Sequence, residues 1–251
     1  MNQLETKIFD EYKQWINSGN CENCKNYDNE LSPNCERIGP VSFFHVGNNM
    51  ENHDNAQRIV FVGKASWNSH DDVKDDSQVN GVLDLSYVGK GYYNDESSSP
   101  PFWNFIRKIT KELGLTLDDI AITNLVKCNI YDNETNTSED ITDDHYYEQC
   151  IKLFEKEIIA LQPTHLIFFT NTGYDHLLRD LSFGHSEISD VNDEDYKKSI
   201  NKDDGPFQTW WWHRNFSEGK MNMLRTRHPQ RAPIELKDAI VEWVKSNKTV
   251  Q

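Results

Sequence analysis

Residues Arg58 to Asp72 read RIVFVGKASWNSHDD. Ile59, Val60, Phe61 and Val62 form a short run of β-branched and aromatic residues, and Gly63 ends it. Such a run, bounded by glycine, fits a strand buried on both faces within a parallel sheet. A glycine at its carboxyl end lets a ligand approach the backbone closely. In open α/β sheets, ligands bind along that edge. Taken alone, the stretch equally describes an ordinary buried strand with a turn after it. Three distant segments of similar build decide the reading.

Ile120 to Val126 (IAITNLV) is a second buried strand by composition and runs into Lys127-Cys128. Thr164 to Thr170 (THLIFFT) is a third, followed by the turn residues Asn171, Thr172 and Gly173. Met221 to Thr226 is a fourth, followed by Arg227-His228-Pro229-Gln230-Arg231, with Trp210, Trp211 and Trp212 ahead of it. Between the strands, helical periodicity predicts helices over Phe102–Leu113, through Tyr147, Cys150, Phe154, Ile158 and Leu161, and over Glu235–Lys245. Proline opens the first of these, Gly114 stops it, and Asp143 or Asp144 suits the cap of the second. At the amino end, Leu4, Ile8, Phe9, Tyr12, Trp15 and Ile16 share one helical face. Strands alternating with helices predict a parallel sheet covered on both sides. The expected fold is α/β, a three-layer α/β/α sandwich around a central, mostly parallel four-stranded sheet. One domain spans 1–251, with a polar, acidic insertion at about 184–205. Cys35 and the acidic stretch after Cys128 read as loops.

The net charge of −15 is a poor global match for a nucleic-acid binder. The acid is uneven, however, gathering in Asp71–Asp76, Asp132–Asp144 and Glu187–Asp204. Between Trp210 and Ala232 the balance reverses: Arg214, Lys220, Arg225, Arg227 and Arg231 face only Glu218. Phosphate contact depends on local charge, so a basic patch on an acidic body can still hold DNA. Mean hydropathy is −0.78, no long apolar run exists, and the amino terminus is polar and acidic. The expectation is a cytoplasmic chain with no membrane partner, acting as a monomer. In that setting five cysteines suggest free thiols or a metal site rather than disulfides.

The strand ends VFVGKAS, ITNLVKC, LIFFTNTG and MLRTRHPQ, in this order, resemble the uracil-DNA glycosylase superfamily. They are most similar to its iron–sulfur type, family four, which carries a GEAPG loop, an ITNVVKC strand and a late HPS loop. The resemblance runs from Cys21 to about Pro233, and ITNLVKC is its most specific piece. Cys21, Cys24, Cys128 and Cys150 follow the order of that family's cluster ligands. The resemblance thus implies a structural [4Fe–4S] cluster; four thiolates also suit tetrahedral zinc. The Cys128–Cys150 spacing is longer than the family usually shows, and Cys35 matches nothing and is a substitute ligand.

The reaction implied is base release from DNA. It flips the base out of the duplex and places preorganised donors where charge develops on the leaving base. His228 stands where the family's histidine donates to a carbonyl oxygen of the leaving pyrimidine. Asn124 matches the asparagine that reads the Watson–Crick edge, and Tyr87, in YVG, the stacking aromatic, with Phe102 and Trp103 competing for that role. Gly63, Lys64, Ala65 and Ser66 form the loop around the base. Here the family's loop carboxylate is Lys64 and its proline is Ser66. Water positioning then falls to Asp71 first, with Asn68, His70 or Asp72 as alternatives. Lys64 reads as a charge contact in the pocket, and amine attack on the sugar is the other role open to it. Gln230 replaces the serine of HPS. Arg225, Arg227 and Arg231 flank the histidine as DNA phosphate contacts or as solvated side chains. The three tryptophans are a wall for a large base, a stacking surface, or core. These departures imply uracil or a modified pyrimidine as the target; superfamily members that defend bacteria by removing modified cytosines from phage DNA set the precedent. The rival expectations are a weakly catalytic DNA or nucleobase sensor of the same fold and an acidic protein-binding module.

Overall fold

The computed structural model describes residues 2–25, 31–40, 45–52, 57–65, 78–79, 82–83, 91, 93–95, 101–139, 144–179, 181, 183, 210–216, 219–230 and 232–247. In chain order the helices are α1 (Gln3–Asn17), α2 (Asn20–Lys25), α3 (Pro101–Glu112), α4 (Asp144–Leu161), α5 (Asp175–Arg179) and α6 (Ile234–Ser246). The strands are β1 (Cys35–Ile38), β2 (His45–Val46), β3 (Ile59–Ala65), β4 (Gln78–Val79), β5 (Val82–Leu83), β6 (Ile120–Val126), β7 (Asn129–Asp132), β8 (Thr137–Glu139), β9 (His165–Phe168), β10 (Trp210–Phe216) and β11 (Gly219–Arg225).

The main sheet has six strands in the order β10-β11-β9-β3-β6-β2. The four strands expected from sequence form its parallel centre, β11-β9-β3-β6. Two antiparallel edge strands correct the expected number: β2 beside β6 and β10 beside β11. The tryptophan run lies in β10, with Trp210 opposite Arg225 and Phe216 opposite Gly219. A second correction concerns the presumed loops. Cys35 begins β1, which pairs with β7, and β7 pairs with β8, so the stretch after Cys128 is a small three-stranded sheet. Cys21 and Cys24 follow α1 closely and lie within the short α2. The predicted insertion at 184–205 falls outside the described residues.

Strand alternation separates two cores. Val60 and Val62 of β3 face one, built with Ile8, Phe9 and Tyr12 of α1 and Ile151, Phe154 and Ile158 of α4. Ile59 and Phe61 face the other, built with Trp103, Ile106 and Ile109 of α3 and Ile240 and Val244 of α6. Successive strand residues point to opposite faces, so a continuous apolar run buries both. The layers are therefore α/β/α as expected. All four parallel strands end along one edge, which gathers Gly63, Asn124, Asn171 and the segment after Arg225.

Candidate active site

The floor of the site is a register pair. β3 and β6 run parallel with Gly63 opposite Asn124. A Cβ built on Gly63 would overlap Asn124 Oδ1 and lie 3.6 Å from Phe102 Cε2. The glycine is therefore what admits the Asn124 carboxamide at this edge. Asn124 is 5% exposed, at the end of a strand whose every residue is buried.

His228 reaches the same place from the segment after β11. Its ring stacks on Phe102, with centroids 6.1 Å apart and an interplanar angle of 17°. Phe102 in turn packs edge-on against Phe169 at 5.8 Å. One phenyl ring thus touches the spot beside Gly63 and the face of His228. The amide of Gln230 donates to His228 Nδ1 at 3.2 Å. A ring nitrogen that accepts from an amide carries no proton, so the neutral imidazole is protonated on Nε2. The amide of His228 donates to Asn171 Oδ1 at 2.6 Å. Lys64 follows Gly63, half-buried, with its ammonium 5.7 Å from the centre of the Tyr174 ring.

Arg225 needs correcting. It is 1% exposed, and its Nη2 donates to Asp175 Oδ2 at 2.7 Å. It is a buried cation tying the end of β11 to α5, out of reach of a DNA phosphate. Lys220 pairs with Asn215, and the backbone of Arg214 lies opposite Met221, four residues up β11 from Arg225. At about 3.3 Å per residue that is roughly 13 Å from the site edge. Arg227 remains at the edge, half-buried. Asn68, Ser66, Asp71, Tyr87 and Arg231 lie outside the described residues, as does the side chain of Ala65.

Three of the four expected metal ligands surround one cavity. Cys21 of α2, Cys128 after β6 and Cys150 of α4 line a small cavity of about 10 Å³ together with Arg37, Lys127 and Trp15. Among the described residues no group of three His, Cys, Asp or Glu side chains is assembled to hold an ion. The side chain of Cys24, one helical turn beyond Cys21, is not among those described. The surroundings suit thiolates. Arg37 Nη1 donates to Cys128 Sγ at 3.8 Å. The buried Tyr12 hydroxyl has no hydrogen-bond partner among the described residues, and the charge of Cys150 and Cys128 reaches it. Lys127 is fully buried and ion-paired with Glu157, and it donates to Thr123 Oγ1 at 2.7 Å. Burial pushes the Lys127 ammonium down from its usual range, against an upward pull from Glu157. Three cysteines beside Arg37 and Lys127 are a donor set that would suit a metal held by sulfur. Cys35 is half-buried at the head of β1 and does not line the cavity.

Sequence reading missed Asn171 and the buried Thr123–Lys127–Glu157 group. Asn171 had a signal, since an asparagine in an NTG turn tolerates left-handed backbone. The buried group had none, because Glu157 is 30 residues from Lys127.

Among the described residues, no helix is long and apolar enough to cross a membrane. No curated protein matches the chain. A family model described as the uracil DNA glycosylase superfamily matches residues 42–235, which takes in all four parallel strands, Gly63, Asn124 and His228. A match over that much of the sequence settles the kinship: this chain belongs to the uracil DNA glycosylase superfamily, whose members are DNA glycosylases.

Proposed function

We propose that the protein is a monofunctional DNA glycosylase that releases uracil or a modified pyrimidine and leaves an abasic site. The observation that carries this reading is the meeting of Asn124 and His228 across Phe102 at the carboxyl edge of the sheet. A flipped pyrimidine entering over Gly63 meets the Asn124 carboxamide on its base-pairing edge. Cleavage builds positive charge on the sugar and negative charge on the base. The Nε2–H of His228 supplies a fixed donor for the carbonyl oxygen on which that charge gathers, and such preorganised donors contribute most to this kind of catalysis. Asp71 is the proposed water-positioning residue, with Asn68 beside it in sequence, in place of the carboxylate that Lys64 has replaced. The changed loop favours a base other than plain uracil, with modified cytosine of phage DNA as the leading class and phage defence as the role. Cys21, Cys24, Cys128 and Cys150 are the proposed ligands of a structural [4Fe–4S] cluster, or of zinc, which ties α2 to β6 and α4.

A second reading is a DNA or nucleobase sensor of the same fold. The half-buried Lys64 favours it, because a cation opposes the charge that develops on the sugar. One experiment separates the two. Strand cleavage by alkali is followed after incubation with uracil-containing DNA and with native phage DNA, for wild type and His228→Ala. The glycosylase reading expects base release from at least one DNA and its loss in His228→Ala. DNA binding without release from either favours the sensor. Metal analysis and the visible spectrum of the same preparation test the ligands: iron with sulfide-type absorption is expected, and a metal-free protein rejects them.

A further inference from the structure

We propose that Asn171 is the positioning residue for His228, an inference that rests on the catalytic reading of that histidine. β9 and β11 run parallel, with Phe168 opposite Arg225. Their hydrogen-bond ladder continues past the sheet. The Thr226 amide donates to the Phe168 carbonyl at 2.8 Å, and the Asn171 amide donates to the Thr226 carbonyl at 3.2 Å. The next rung is not backbone to backbone. Asn171 turns into the left-handed region, with φ of 59°. Its side-chain Oδ1 takes the rung, accepting from the His228 amide at 2.6 Å. Asparagine suits both demands, since it tolerates this backbone better than other side chains and its carboxamide mimics a peptide carbonyl.

Three contacts then fix the histidine from three directions. Asn171 holds its main chain at 2.6 Å, the Gln230 amide holds Nδ1 at 3.2 Å, and Phe102 lies along the ring face at 17°. The last two set the tautomer and the plane of the ring. The first ties the main chain of His228 itself to the sheet edge that carries the rest of the site. Its loss lets Nε2 move relative to Asn124 while the fold persists. A misplacement of about 1 Å costs catalysis about 10²-fold.

The test uses Asn171→Gly, which keeps the left-handed turn at no steric cost and removes the acceptor, and Asn171→Asp, which keeps the acceptor. Each is made alone and with His228→Ala. The readouts are the imidazole ¹⁵N–¹H signals of His228, single-turnover base release from uracil-containing or phage DNA, and DNA affinity. In Asn171→Gly the His228 ring signals shift or broaden, release falls about 10²-fold, and affinity is unchanged. Asn171→Asp restores signals and rate. In the His228→Ala background Asn171→Gly has no further effect on release, because residues that act as a unit are non-additive. Unchanged ring signals in Asn171→Gly, or a loss of rate that multiplies with that of His228→Ala, overturns the proposal. A wild type that releases no base defeats the glycosylase reading alone, and the ring signals still decide this one.

Discussion

Gly63 and Asn124 sit opposite each other at the ends of β3 and β6, and a methyl group on the first occupies the space of the second's Oδ1. In Gly63→Ala the carboxamide must swing away from the base site. Release is expected to fall about 10²-fold, while the extra methyl costs about 1–3 kcal/mol of stability. Single-turnover release and urea unfolding measure the two; a rate within about tenfold of wild type rejects this role for the glycine. The placement of these positions was legible in sequence because each sits in a short motif at a strand end. Arg225 was not. A cation in a basic run looks like a phosphate contact until its partner Asp175, 50 residues away, is seen to hold it inside. Short-range pattern places residues at a strand end, and misses those neutralised by distant ones.

Elements show the same division. The long, periodic helices and the four apolar strands could be read, since burial on both faces leaves a continuous apolar signal. β2 has two residues and α2 six, too short for periodicity to register. β10 and β11 are joined without an Asn-Gly or Asp-Gly turn, which is the strongest hairpin signal. The turn leading into β6 offers an element-scale prediction. Asp119 Oδ2 accepts from the Thr116 amide at 2.8 Å and its hydroxyl at 2.7 Å, and Oδ1 accepts from Asn49 at 2.7 Å. Burial pushes this carboxyl up, but the bonds from Asn49 and Thr116 outweigh it and hold the carboxyl below its ordinary value of 3.8. A depressed folded value means the stabilisation is complete above 3.8 and is lost as pH falls through the lower, folded value. Asp119→Asn should therefore melt below wild type at neutral pH, and the gap should close in acid, below pH 3.8. Melting curves across pH check it; a gap that stays constant would falsify the assignment.

At the scale of the molecule, the superfamily match begins at residue 42, yet the segment before it is built into the body. Leu4, Ile8, Phe9 and Tyr12 of α1 are buried against α4, and Cys21 of α2 lines the same cavity as Cys128 and Cys150. Burying one such side chain contributes about 1.5–3 kcal/mol, so α1 supplies an amount comparable to the 5–15 kcal/mol that holds a typical domain, roughly speaking. A chain lacking residues 1–40 is expected to be unfolded or aggregated and to bind no metal, as read by circular dichroism and metal analysis. A wild-type melting curve for that fragment would make the segment an appendage. Finally, the pairing of Gly63 with Asn124 has a consequence for descent. Neither position can drift alone, because any bulk gained at one must be surrendered at the other. Lineages of this chain should therefore inherit the two as a couplet, with a side chain at 63 appearing only where 124 has shrunk.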